Sequence, residues 1–83
     1  MSKGGITKEE RYLLALYEMV KDLEDPEEPV DSYTVGLSVG ITIRQVDAIT
    51  TQLIRTNFIR RSDKHWISLT PNGLDLINSL LNS

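Results

Sequence analysis

Apolar and polar positions alternate along this chain with two different periods. Val46, Ile49 and Leu53, with Thr50 between them, recur at three- and four-residue intervals, the spacing of one buried helical stripe. Thr42 precedes the stripe and Gln45 follows it by three residues. This is a capping box, in which the two side chains satisfy free N–H groups at a helix start. The opposite face carries Arg44, Asp47, Ala48 and Thr51, short or polar side chains that leave the helix surface open to a partner. Asn57 follows the last turn, and Asn tolerates the left-handed conformation that ends many helices. The period then drops. Phe58-Ile59-Arg60-Arg61 and Trp66-Ile67-Ser68-Leu69 read as two short strands, with Ser62-Asp63-Lys64-His65 supplying the turn.

The flanks extend the pattern. Thr7 can cap a first helix that runs to about Leu23, with Glu9 and Glu10 favourably placed in its first turn. Leu13, Leu16, Tyr17, Val20 and Leu23 form its stripe, which Tyr12, Leu14 and Met19 widen beyond the needs of one small core. The run Glu-Asp-Pro-Glu-Glu-Pro-Val-Asp at 24–31 then reads as a stiff acidic loop. Asp31 or Ser32 caps a short second helix, Tyr33 to Val39. Gly36 inside it costs about 1 kcal/mol relative to Ala, which predicts close approach of another helix there. Gly40 ends this helix and Ile41 plugs the turn before Thr42. Two short helices joined by a glycine-containing turn make a helix-turn-helix. Thr70 as cap and Pro71 at the first helical position announce a last helix to residue 82, with Leu74, Ile77, Leu80 and Leu81 on one side. The expected architecture is mainly α with a small β-hairpin, in the order α-α-α-β-β-α. It forms one domain over 1–83: a flexible start at 1–6, the acidic loop at 24–31, a helix-turn-helix at 32–57, a hairpin at 58–69 and a final helix at 70–82.

Eighty-three residues without cysteine bound the chemistry. No disulfide can stiffen so small a core, and no cysteine-based metal site is possible. The single His65 does not make a metal site by itself. No apolar run approaches the roughly 20 residues of a membrane span. The start Met-Ser-Lys-Gly-Gly-Ile-Thr-Lys-Glu-Glu lacks the apolar core of a signal peptide. The expectation is a cytoplasmic protein, without cofactor and without membrane contact. Catalysis would need a nucleophile with its base, a carboxylate pair in a cleft or a metal, and no such set is visible. The chain is not expected to be an enzyme.

Net charge is −3, but it is unevenly spread. Residues 1–31 hold four basic and nine acidic side chains, a net of −5, whereas residues 32–83 hold five basic and three acidic, a net of +2. All five of those basic residues, Arg44, Arg55, Arg60, Arg61 and Lys64, lie in the third helix and the hairpin. Such clustering reads either as a solvated charged face or as the electrostatic footprint of a nucleic-acid-binding face on a protein whose other side is acidic.

Three linked stretches carry a family resemblance. Ser-Tyr-Thr-Val-Gly-Leu-Ser-Val-Gly-Ile-Thr-Ile-Arg-Gln-Val, at 32–46, resembles a helix-turn-helix core, with Gly36 at its small residue and Gly40 in its turn. Leu-Ile-Arg-Thr-Asn-Phe-Ile-Arg-Arg, at 53–61, resembles a helix-to-wing junction, with Asn57 where glycine is usual. Ile-Ser-Leu-Thr-Pro-Asn-Gly, at 67–73, resembles the passage from wing to following helix in MarR-type repressors. Together they cover nearly the whole chain and make it similar to a winged helix-turn-helix domain. MarR-type proteins are considerably longer, so the chain looks more like the minimal winged-helix regulators of archaeal viruses and plasmids. The resemblance implies a sequence-specific regulator of transcription that binds double-stranded DNA, with the third helix in the major groove and the wing on the backbone. It also implies a homodimer, for which the first and last helices offer apolar residues; a viral member would act in its host's cytoplasm. Winged helices also serve as protein-binding modules, and the acidic isoelectric point and exposed candidates such as Leu37 and Leu76 fit that second reading.

On the DNA reading each residue has a role. Arg44, at the start of the third helix, can contact guanine through two hydrogen bonds. Thr42 stands at the same helix end. Gln45 either reads a base or is consumed by the capping box. Asp47 accepts from cytosine or excludes wrong sequences. Ala48 and Thr51 meet a thymine methyl or a phosphate, and Arg55 adds charge farther along. Tyr33 can donate to a phosphate. Strand alternation forbids Arg60 and Arg61 from facing the same side, so one of them pairs within the fold. Lys64 at the hairpin tip is the best phosphate contact, with His65 beside it. Trp66 is expected to cover the hairpin and pack against the core.

Overall fold

The computed structural model describes residues 6–82. All but one residue of the flexible start expected at 1–6 therefore lies outside the described residues. Four helices, α1 (Lys8–Val20), α2 (Ser32–Ser38), α3 (Ile43–Arg55) and α4 (Pro71–Leu81), pack with three short strands, β1 (Val30–Asp31), β2 (Ile59–Asp63) and β3 (Trp66–Leu69). The strands form one antiparallel sheet in the order β1-β3-β2. Among the described residues no helix is long and apolar enough to cross a membrane.

Local chemistry sets the helix ends. Thr7 and Glu10 close a full capping box on α1, and Thr42 and Gln45 close another on α3. Asp31 caps α2 by accepting from the Tyr33 N–H, and Thr70 caps α4 with Pro71 in its first turn. Asn57 adopts φ 64° and stops α3.

Three elements depart from the sequence expectation. Val30–Asp31, expected at the end of a loop, pairs with β3 as Val30↔Ile67 and Asp31↔Trp66. This third strand gives the hairpin a second edge contact and ties it to the start of α2. The hairpin turn is also tighter than expected. Ser62 and Asp63 belong to β2, so that Lys64-His65 alone make the turn, with an irregularity in the ladder between Arg61 and Asp63. The first helix ends at Val20, earlier than its apolar stripe suggests.

The core gathers Tyr12, Leu13, Leu16 and Val20 from α1, Val35 from α2, and Val46, Ile49 and Leu53 from α3. Ile59, Ile67 and Leu69 come from the sheet and Ile77 from α4. A methyl group at Gly36 would collide with Cγ2 of Val46, so the missing side chain is what lets α2 and α3 touch. Gly73 plays the same part at the start of α4, where a side chain would run into the Phe58 carbonyl. Tyr12, expected on the rim of a widened stripe, is wholly buried, and its hydroxyl donates to the Ser32 carbonyl at 2.7 Å. This removes one of the surplus apolar positions on α1 that pointed to a dimer face. Met19 and Leu81 do remain exposed.

Burial, with the nearby Asp31 charge second, pushes the Tyr12 hydroxyl well above the ordinary tyrosine value of 10.0. The hydrogen bond to Asp47, followed by desolvation, pushes Tyr33 in the same direction. Both groups therefore keep their protons in the folded state at pH values where the unfolded chain loses them, so folding stability declines as pH rises beyond about 10. Tyr12→Phe should cost about 1–3 kcal/mol at neutral pH, because the Ser32 carbonyl loses its partner. The same variant should lose stability less steeply between about pH 10 and 11 than the parent. Urea melts of the two proteins at several pH values check both statements; parallel pH curves would contradict them.

Candidate nucleic-acid interface

The exposed side of α3 is an ordered ridge. Arg44, Ala48, Thr51 and Arg55 follow one another at intervals of four, three and four residues, so at about 3.6 residues per turn they form one line. All four are exposed, and the line lies opposite the buried Val46, Ile49 and Leu53. The capping box holds the first turn, and Gly36 against Val46 holds the inner face.

The structure separates the expected contact residues into engaged and unengaged groups. The Gln45 side-chain carbonyl accepts from the Thr42 N–H at 3.0 Å, and the Thr42 hydroxyl accepts from the Gln45 N–H at 3.2 Å. Both side chains thus serve the helix end. The Tyr33 hydroxyl, expected as a phosphate donor, has a partner within the fold. It donates to Asp47 Oδ1 at 3.0 Å and bridges α2 to α3. That bond also occupies Asp47. Thr51 donates to the Asp47 carbonyl at 2.8 Å, which presents its methyl group rather than its hydroxyl hydrogen.

In the hairpin, Arg60 pairs with Ser68 and Arg61 with Ile67, adjacent residues whose side chains leave opposite faces of β3. The Arg61 guanidinium donates to the Lys64 carbonyl and so braces the turn. His65 stacks on Tyr33, with ring centroids 5.2 Å apart, and its Nε2 lies 3.5 Å from Asp31 Oδ2. Trp66 does not pack against the core as expected. It is 42 % exposed, because Ile67 and Leu69 take the inward positions of β3 and leave Trp66 on the other face.

Arg44 and Arg55 on α3, and Arg60 and Lys64 on the hairpin, thus remain as four cations with no protein partner among the described residues. A groove of about 610 Å³ borders one flank of the ridge. Its lining includes Glu9 and Glu10 from α1, Ala48 and Gln52 from α3, and Leu76 from α4. Ala48 therefore faces both the ridge and this acidic groove. Gln52, one turn beyond Ala48, was not singled out by sequence reasoning, although the four-residue spacing from Ala48 marks it as a neighbour. Among the described residues no cluster of His, Cys, Asp and Glu could hold a metal ion. Comparison with protein-family models, with curated proteins and with solved structures finds no match.

Lys64 adopts φ 43°, a left-handed conformation that costs a side-chain-bearing residue about 1–2 kcal/mol. A cation at that position is maintained against backbone preference. Lys64→Gly should therefore stabilise the fold by up to about 1 kcal/mol, read as a higher urea midpoint. A lower midpoint would mean that the lysine side chain contributes more to the hairpin than its backbone costs.

Proposed function

We propose that the chain is a winged-helix regulator of transcription that binds double-stranded DNA as a homodimer. The α3 ridge enters the major groove and the β2–β3 hairpin acts as the wing on the backbone. The observation that carries this reading is the ridge itself. Arg44, Ala48, Thr51 and Arg55 stand in one exposed line, with both arginines unpaired among the described residues, on a helix held at its start and along its inner face. Arg44 lies in the first turn, where a groove-inserted helix reaches base edges. The unpaired Arg60 and Lys64 on the hairpin supply phosphate contacts, and such contacts fix register without reading sequence. The Tyr33–Asp47 bond supports α3 rather than contacting DNA, so base reading falls chiefly to Arg44, Ala48 and Thr51.

A second reading, a winged-helix module that binds protein, draws on one observation. Leu37 is 78 % exposed and Ile43 64 % exposed beside the turn between α2 and α3. Duplex binding at low salt separates the two readings.

Binding to duplex DNA should weaken with salt at a log–log slope of roughly −4 to −6 for a dimer, at about −0.9 per phosphate neutralised. Lys64→Ala should flatten that slope by about 0.9 per bound copy and weaken all sequences alike. Arg44→Ala should cost about 1–3 kcal/mol at the cognate site and much less on random duplex. Its melting temperature should hardly change, since Arg44 is exposed and has no hydrogen-bond or ion-pair partner among the described residues. Equal losses on cognate and random DNA would reduce Arg44 to a phosphate contact. No duplex binding at low salt would overturn the DNA reading and leave the protein-binding one.

The dimer rests on Met19 and Leu23 at the end of α1 and on Leu81, 56 % exposed, at the end of α4. Sedimentation equilibrium at micromolar concentration should give twice the 9.4 kDa chain mass. Leu81→Glu should return it to a monomer without loss of helicity. A single 9.4 kDa species in the parent protein would remove the symmetric half-site model.

A further inference from the structure

An exposed tryptophan on a short hairpin is unusual, because it leaves a large apolar ring in water where the core makes no use of it. Trp66 sits at the end of a row of near-parallel rings. Tyr33 and His65 stack at 5.2 Å with planes 23° apart, and His65 and Trp66 follow at 6.2 Å and 25°. The row is anchored at its inner end. Tyr33 is held by Asp47, and His65 by the stack and by Asp31. With 42 % of its surface open, the indole can accept one more flat ring at the outer end.

The charges around it select the kind of ring. Trp66 and Ser68 share a face of β3, and Arg60 pairs with Ser68, so Arg60 lies on the Trp66 side of the sheet. Lys64 is two residues away at the turn. Neither cation has a partner among the described residues. Two acids also border the indole, since Asp31 and Asp63 are its cross-strand neighbours. Asp31 is already engaged, accepting from the Tyr33 N–H at 2.9 Å and lying against His65. Arg61 leaves the opposite face and braces the turn, so on the Trp66 side Arg60 and Lys64 stand with Asp31 and Asp63. An aromatic platform with two cations free of protein partners within reach is the arrangement that takes a nucleobase with its flanking phosphates. In an intact duplex the bases are covered by their neighbours, so the base must be unpaired.

We propose that Trp66 is a stacking site for an unpaired nucleobase, with Arg60 and Lys64 taking the adjoining phosphates. The inference rests on the nucleic-acid reading above and extends it, since it assigns to the hairpin a preference for single strands, gaps or frayed ends. A blunt duplex exercises α3 and the backbone contacts of the hairpin, whereas a single strand exercises Trp66.

Trp66 is the single tryptophan of the chain, so its emission reports the site directly. The test titrates the protein at low salt with an oligothymidylate of roughly 12 nucleotides, a length within the usual span of single-strand sites. A blunt random duplex of the same length is titrated in parallel. The oligothymidylate should quench Trp66 emission to saturation. Fluorescence anisotropy of the labelled oligonucleotide should show roughly ten-fold weaker binding for Trp66→Leu, with Trp66→Phe close to the parent. Duplex affinity should be the same in all three proteins. Absence of quenching, or equal single-strand affinity for the parent and Trp66→Leu, overturns the proposal whether or not duplex binding persists. An emission shift that follows protein concentration without any oligonucleotide also overturns it, because the indole is then covered by a second copy. If circular dichroism shows Trp66→Leu unfolded, quenching in the parent and a several-fold loss of oligothymidylate affinity in Arg60→Gln decide the matter. Failure of either overturns the proposal.

Discussion

The contact between Gly36 on α2 and Val46 on α3 is the constraint on which the rest of the molecule depends. With no side chain at Gly36, Val46 seats directly against the α2 backbone. Val46 belongs to the inward stripe of α3, so seating it also fixes how α3 is rotated about its own axis. That rotation decides which residues look outward. The Ile41 N–H donates to the Gly36 carbonyl at 3.1 Å, which closes the turn between the two helices at the same point. Tyr33 stands about one turn before Gly36 and Asp47 directly follows Val46, so their bond limits rocking of one helix on the other. An alanine at position 36 would have to displace backbone or Val46, at the cost typical of overpacking, about 1–3 kcal/mol.

The far end of α3 is fixed by a different device. Asn57 reverses the chain, and its carbonyl accepts from the Thr70 hydroxyl at 2.6 Å. That hydroxyl oxygen also accepts from the Gly73 N–H at 3.0 Å, so one side chain joins the end of α3 to the start of α4. Between them the Phe58 carbonyl accepts from the Thr70 N–H at 3.3 Å, and Gly73 clears the space for it. The hairpin leaves and re-enters the fold through this joint. Its direction relative to α3 is set by short polar links at its base and by the β1 pairing and the His65–Tyr33 stack near its tip.

Much of this was legible in the sequence because it is written in local chemistry. The Thr42–Gln45 pair, Thr70-Pro71 and Asn57 each act within a few residues of their position, and each marked its helix end correctly. Gly36 was legible as an anomaly, a poor helix former in a helix, and the anomaly pointed to close packing. The less legible parts depend on residues far apart in the chain. β1 is two residues long and carries no periodicity of its own; it is a strand because β3 offers it an edge. Tyr12 reaches Ser32 across twenty positions and Tyr33 reaches Asp47 across fourteen, so neither partnership leaves a local pattern. Trp66 is a different case. Alternation along β3 places it opposite Ile67 and Leu69, and the hydrophobicity of tryptophan was allowed to outweigh that parity. Arg60 and Arg61 obey the same rule, and one of them, Arg61, does pair within the fold by donating to the Lys64 carbonyl at the turn.

The length of the α3 ridge has a consequence for information content. From Arg44 to Arg55 the helix advances about 16 Å at about 1.5 Å per residue. Along a duplex that distance spans about five base pairs at about 3.4 Å each. A word of five letters recurs by chance about once in a thousand positions, far too often to mark one address among the roughly 10⁶ competing sites of even a small genome. On the proposed DNA-binding reading, a single copy of this fold therefore reads too short a word to name one promoter. On that reading the address must be spelled by a second copy, by a partner, or by the shape of the DNA between two such words.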